Sequence, residues 1–186
     1  MSKRLIPKKA VPRRPSSGVE IDFDHSEKQQ MRNWCWAACV TVVAKKRQQT
    51  NATITQCSIA QSIPALSGRQ CCPSQSGFEG AACNIAADLA AIDDLFKSYS
   101  PRMVRDKGFL DIVDMRKQLD NDKLVCVFLK SPRYTSEHMV MVYGYSGSGF
   151  LVWDPDEDMP DATLAHSAIT NYKGSSFEWT ETWKGL

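Results

Sequence analysis

The sequence predicts an α+β fold with helices first and antiparallel strands last. Three observations carry this. The segment Trp36 to Ala44 is apolar nearly all round, as a helix buried in the middle of a fold requires. Apolar residues recur close to a helical period at Ile85, Leu89, Ile92, Leu95 and Phe96, within Cys83 to Tyr99. The runs Leu124–Leu129, His138–Tyr145 and Phe150–Trp153 are strand-forming, and Ser146-Gly147-Ser148-Gly149 punctuates the last two as a hairpin. Helices followed by strands is the α+β order.

The elements follow in sequence. Residues 1–20 read as a flexible basic tail, and 21–186 as one folded domain. The tail holds Lys3, Arg4, Lys8, Lys9, Arg13 and Arg14 with no acid in its first 14 residues, and Pro7, Pro12, Pro15 and Gly18 loosen it. Setting those six charges aside leaves 17 basic against 21 acidic residues, so the net +2 hides a body near −4. Such a tail reads first as a solvated terminus, with a weak tether to nucleic acid, an anionic membrane or a secretion apparatus as the alternative, and it could meet a delivery partner or a cognate inhibitor. For the chain as a whole no nucleic-acid partner is expected. Hydrophobic residues make up 42% of the chain, enough for a core. No apolar run reaches the roughly 20 residues of a membrane span, and no apolar segment follows the basic N-terminus as in a secretory signal. Cytoplasmic residence is the default expectation, with leaderless secretion or effector delivery as the alternative.

Ile21-Asp22-Phe23 reads as a short strand or extended lead-in. A helix is expected from about Asn33 to Gln49, with Asn33 as cap and Lys45, Lys46 and Arg47 complementing its C-terminal dipole. Thr55 to Ser67 reads as a second helix capped by Thr53 or Thr55, Gly68 to Gly80 as a loop, and Cys83 to Tyr99 as a third helix. After an extended Met103-Val104, Phe109 to Asp120 is a fourth helix with Leu110, Val113 and Leu119 inward. Phe177 to Trp183 adds a last strand.

The chemistry concentrates in Asn33-Trp34-Cys35-Trp36-Ala37-Ala38-Cys39, preceded by Gln29 and Gln30. Cys35 falls in the first turn of its helix, where unpaired amides and the helix dipole favour a thiolate. His138 opens a strand, and Asp154 ends the next, 16 residues later. An imidazole near the thiol would take its proton, and the carboxylate would orient the ring through its other nitrogen. Gln29 could donate its side-chain amide to an oxyanion, beside the backbone N–H of Cys35, with Gln30 as its rival. Order and residue type therefore point to nucleophilic thiol catalysis.

The segment from Gln29 through Asn33-Trp34-Cys35-Trp36-Ala37-Ala38 resembles the nucleophile segment of papain-like cysteine peptidases. It is most similar to their small bacterial branch, which includes effector-type and bacteriocin-leader-processing relatives. The His138 strand, the Gly144-Tyr145 turn and Asp154 resemble the family's base and orienter segments, and the similarity runs from about Phe23 to Trp183. The resemblance implies two lobes. A helical lobe would be led by the Cys35 helix, and an antiparallel β-barrel-like lobe would carry His138 and Asp154, with the active site in the cleft between them. It implies hydrolysis of peptide bonds in protein or peptide substrates by Cys35, His138, Asp154 and Gln29, without metal or organic cofactor. Asp154 stands where many relatives carry Asn. The aromatic that often follows the orienter is absent, since Pro155-Asp156 comes next, and Trp153 or Trp179 is the candidate replacement shield. Only 28 residues precede Gln29, so a large inhibitory prosegment is not expected.

The same residues admit competing readings. The same machinery serves a transglutaminase, an amidase or a deconjugating isopeptidase, and an inactive fold could serve as an interaction module. A single compact domain with a basic tail suits a delivered bacterial effector or toxin as well as an intracellular processing peptidase. Cys57, Cys71, Cys72 and Cys83 are reduced, disulfide-bonded or zinc-binding, with zinc disfavoured by their spacing. Cys39 reads as a helix-packing residue rather than a resolving thiol, and Cys126 as core. His25 and His166 read as surface or structural. Asp156, Glu157 and Asp158 read as solvated rather than calcium-binding. Trp34, Trp36 and the 77–80 loop are the expected cleft walls.

Overall fold

The structure is a computed structural model that describes residues 18–48, 54–72, 80–156 and 161–186. Residues 1–17 of the basic tail, Thr53, residues 77–79 of the expected cleft loop, and Glu157 and Asp158 lie outside the described residues.

Helix α1 spans Cys35–Gln48, and every residue from Cys35 to Ala44 is buried. A helix buried on all faces draws its stability from packing rather than propensity. Its neighbours are α2 (Gln56–Gln61), α4 (Leu89–Tyr99) and strand β4 (Glu137–Ser146). Thr55 caps α2 in a reciprocal capping box with Ser58. A 3-10 turn at Pro64–Leu66 then replaces the rest of the expected helix.

The helix expected over Cys83–Tyr99 is two. A short α3 (Gly80–Cys83) ends before an extended stretch from 84 to 88, and α4 starts where Asp88 accepts from the Ala90 and Ala91 amides, 2.9 Å each. Helix α5 (Ile112–Asp120) is capped by Asp111 and turns Met115 and Leu119 inward. Val113, expected inward, is 75% exposed because the Met115–Leu119 stripe sets the buried face. Leu110 is buried just ahead of the helix.

Seven antiparallel strands form one sheet. They are β1 (Gly18–Glu20), β2 (Val104–Lys107), β3 (Val125–Lys130), β4, β5 (Gly149–Trp153), β6 (Ala162–Leu164) and β7 (Phe177–Lys184). The order is β2-β7-β3-β4-β5-β6, with β1 added to β4 beyond the end of β3. Strands β2 and β6 stand at opposite ends and do not pair among the described residues. The sheet is therefore open, which corrects the expected barrel-like closure. Closure needs tilt and stagger consistent all round, and here the terminal strands have only four and three residues.

Gly18–Glu20, grouped by sequence with the tail, are β1. Their partner Gly144 admits them because any Cβ there would meet the Val19 carbonyl and come within 3.0 Å of the Glu20 Cα. Strand β4 is buried from His138 to Tyr145 on both faces rather than alternately, since α1 and α5 both pack on it.

The four clustered cysteines form two disulfides, Cys57–Cys72 and Cys71–Cys83. That pairing answers the three-way reading and overturns both the reduced and the zinc alternatives. Cys39 and Cys126 are fully buried and free. Burial first, then hydrogen bonding with Cys126, holds the Cys39 thiol well above its usual pKa, so it is a packing group.

Candidate active site

Cys35 is the first residue of α1. The first i→i−4 bond of the helix runs from Ala38 N to the Trp34 carbonyl at 2.9 Å, so the amides of Cys35, Trp36 and Ala37 precede any intrahelical acceptor. The segment is fixed from the side by the stretch after α3. Trp34 Nε1 donates to the Cys83 carbonyl at 2.7 Å, and Trp36 Nε1 to the Ile85 carbonyl at 3.2 Å. The Asn33 amide donates to Asn84 Oδ1 and Asn33 Nδ2 to the Asn84 carbonyl, both at 2.8 Å. Asn33 is thus bound to Asn84, where the sequence reading has it capping α1.

His138 is the second residue of β4, in register with Leu129 of β3. The Cys35 thiol lies close enough to this ring to act on its ionisation. Its Nε2 donates to Asp154 Oδ1 at 2.7 Å. The nitrogen left for the thiol is Nδ1. Cys35 and His138 are each only 8% exposed, and Asp154 1%. Burial alone would discharge the imidazole. The bond to Asp154 and the nearness of Cys35 outweigh it, and the His138 pKa is pushed up to about 9. Burial likewise opposes the Asp154 charge, but the bond from His138 prevails and holds the carboxyl below its usual range. The carboxylate also accepts from the Asp156 amide at 2.9 Å and from the Tyr172 hydroxyl at 2.7 Å.

The structure thus brings three of the four sequence-identified residues together, His138 hydrogen-bonded to Asp154 with the Cys35 thiol near its ring. Gln29 stands beside it. Its backbone amide donates to the Pro155 carbonyl at 2.7 Å, and its Nε2 to the Arg32 carbonyl at 3.1 Å. Gln30 is exposed, with its amide on Gln56. A cleft of about 630 Å³ opens over Cys35, walled by Trp36, Asn84 and Ala87 on one side and by Phe128, Tyr134 and Met139 on the other. Trp36 therefore lines the cleft, whereas Trp34 is buried behind it.

Neither tryptophan proposed as a shield is the ring against His138. Trp179 packs on Phe109 and His166, and Trp153 donates to the His25 carbonyl. The rings near the imidazole are Tyr172, stacked at 6.4 Å between centroids, and Phe177 at 6.2 Å. Sequence reasoning missed Tyr172. The local signal was slight: an aromatic just before Lys173-Gly174 in a polar stretch. His166 donates to the Leu110 carbonyl at 2.7 Å, a structural role as expected.

Among the described residues no helix is long and apolar enough to cross a membrane. No protein of curated function matches the sequence. A solved structure from Bacillus anthracis, described as a C39-like peptidase, aligns with a TM-score of 0.56 at 15% identity, covering 91% of this chain and 98% of that one. This likeness concerns the fold. The peptidase domain of Streptococcus ComA, a bi-functional ABC transporter of a quorum sensing pathway, aligns at 0.48 and 14% identity over 85% and 95% of the two chains. A double glycine motif protease from an AMS/PCAT transporter, solved with its leader peptide, aligns at 0.49 and 12% identity over 90% and 95%. Residues 20–182 match the Peptidase_C39 like family, nearly the whole of the described fold. The chain accordingly belongs to that family and is a papain-like cysteine peptidase.

Proposed function

We propose that Cys35, His138 and Asp154 are the catalytic triad and that the enzyme hydrolyses peptide bonds in an extended peptide or protein segment. The single observation that carries this is the buried His138 imidazole, bonded to Asp154 Oδ1 at 2.7 Å, with the Cys35 thiol near enough to raise its pKa. The Cys35 thiolate attacks the scissile carbonyl carbon. His138 Nδ1–H protonates the leaving amine, which departs with the C-terminal product. His138 then takes a proton from water, whose oxygen attacks the thioester and releases the N-terminal product. Asp154 fixes the ring through Nε2 and stabilises its charge.

The oxyanion would rest on the unpaired Cys35 amide and on the second Nε2 proton of Gln29, which its bond to Arg32 leaves over. In this papain-like arrangement the helical half supplies the thiol and the sheet supplies base and orienter, from a domain over 21–186 with β1 attached. Two disulfides suit work outside a reducing cytosol, which favours an exported peptidase or delivered effector over a cytoplasmic processing enzyme. The basic tail would then serve its delivery partner or a cognate inhibitor.

The test joins an epoxysuccinyl probe with proteome-wide mapping of new N-termini. The expected result is one label, on Cys35, and cleavage lost in both Cys35→Ala and His138→Ala. Cleavage that persists in Cys35→Ala would end the proposal. Products that are cross-linked or deamidated rather than cut would favour the transglutaminase or amidase reading.

A further inference from the structure

We propose that Tyr172 is a positioning residue for the reaction, clamping the Asp154 carboxylate and covering the His138 ring. The inference rests on the triad reading above. No aromatic follows Asp154 directly, where Pro155 and Asp156 stand. The ring arrives instead from a tight turn 18 residues on. Strand β7 leads back to this turn, and the bridges Asn171–Glu178 and Tyr172–Phe177 close it. At its tip Lys173 adopts φ 51° and ψ 43°, in the left-handed region where residues with a Cβ are uncommon, and Gly174 follows at φ 69°. Local strain of this kind persists only where surrounding contacts over-determine it. Here the contact is with the candidate active site.

The bonding of Asp154 assigns the hydroxyl a definite task. Oδ1 is occupied by His138 Nε2 and the Asp156 amide. Oδ2 has the Tyr172 hydroxyl at 2.7 Å and, more distantly, Lys173 Nζ at 3.8 Å. Without the hydroxyl, a carboxylate oxygen in a 1%-exposed residue would keep only that long contact. The carboxylate could then turn about its own bond and carry Oδ1 off the Nε2 line. Tyr172 itself is 5% exposed, and its ring lies at 28° to the imidazole, so it also keeps water from the His–Asp bond. The charged and titratable groups facing this pair are Cys35 and Cys39 from α1, Lys28 on the Asp154 carbonyl, Asp156, Tyr172 and Lys173.

The test is Tyr172→Phe, which keeps the ring and removes one oxygen. Peptide hydrolysis is followed from acid to alkaline pH, and the imidazoles are titrated by NMR, which is tractable with three histidines in the chain. The expected result is kcat lowered about tenfold, as for loss of one hydrogen bond to a charged group, with KM unchanged. The His138 midpoint falls from about 9 towards its ordinary value, and the alkaline limb of kcat follows it. An unchanged kcat, or a lower kcat with an unmoved His138 midpoint, overturns the positioning role. In the unmutated protein the role also requires a slowly exchanging phenol proton with NOEs to the His138 ring, and its absence refutes the inference without any variant. The two readings fail separately. Cleavage surviving in Cys35→Ala removes the triad itself. Cleavage abolished there but unaffected in Tyr172→Phe removes only the role of Tyr172.

Discussion

Removing the Cys71–Cys83 disulfide by the double substitution Cys71→Ala and Cys83→Ala is expected to damage stability and substrate binding together. The bond closes a loop over a sequence separation of 12, and both cysteines are fully buried. Loop-closure entropy for that length gives about 3 kcal/mol at 25 °C. This is a ceiling, because Cys57–Cys72 still restrains the adjoining chain. For a chain of this size each kcal/mol moves the thermal midpoint by about 2–4 °C, so a fall of several degrees is expected, with about 6–12 °C as its upper bound. Cys83 also leads directly into the stretch that grips the nucleophile segment. Its carbonyl accepts from Trp34, and Asn84 makes two bonds to Asn33. Asn84 and Ala87 form one wall of the cleft, whereas the thiol–imidazole contact depends on α1 against β4. KM is therefore expected to rise more than kcat falls. The assay is melting by circular dichroism, with steady-state cleavage measured well below both midpoints. A midpoint shift under about 1 °C, or a fall in kcat with KM untouched, would refute this account of the disulfide.

Further outcomes follow from the site. Gln29→Ala is expected to lower kcat by about a hundredfold, the usual cost of one oxyanion donor, with KM little changed; equal activity would exclude Gln29 from that role. Asp154→Asn is expected to keep more activity than Asp154→Ala, since the amide oxygen can face His138 Nε2 while its NH2 donates to the Tyr172 oxygen; equal losses in kinetic assays would contradict that orientation. For pH, the His138 pKa is raised above 6.5 to about 9, so its stabilising contribution is complete below 6.5 and lost as pH rises through about 9. The Asp154 pKa is lowered below 3.8, so its contribution is present above 3.8 and lost as pH falls through that lower value. Activity and thermal midpoint are both expected to fall on the alkaline side near pH 9, and an alkaline limb at neutral pH would contradict the bonding described.

What the sequence made legible follows from how local each signal is. The buried helix announced itself because Trp36 to Ala44 offers no polar face, and the hairpin because Gly147, at φ 58°, sits between two apolar runs. The separation of Cys35, His138 and Asp154 was readable because each stands at the end of its element. The break between α3 and α4 was missed although Asp88 before Leu89 is an N-cap signal; the apolar period through Ile85 masked it. The open sheet was not readable, since closure depends on register and stagger across all strands. Strands β1 and β6 have three residues each, below any useful period. Four cysteines allow three connectivities, and no local pattern chooses among them. Tyr172 was invisible for the same reason: its meeting with Asp154 depends on a turn through Lys173 in a conformation that lysine does not advertise.

The two sides of the cleft are held by different means, and this decides which perturbations reach the chemistry. The segment before the nucleophile is stitched to the segment after the acid: Lys28 Nζ donates to the Asp154 carbonyl at 2.8 Å, and the Gln29 amide to the Pro155 carbonyl at 2.7 Å. These bonds act in parallel with the packing of α1 on β4. The thiol-to-imidazole distance is therefore set twice, once through the core and once through the chain segments flanking it. The outer wall at Asn84 is held differently, by hydrogen bonds from Asn33, Trp34 and Trp36 and by the Cys71–Cys83 link behind it. Under the proposed mechanism, a substitution in that wall is expected to relax the substrate's seat while Cys35 and His138 stay in register. That asymmetry is the physical reason to expect KM and kcat to separate when the disulfide is removed.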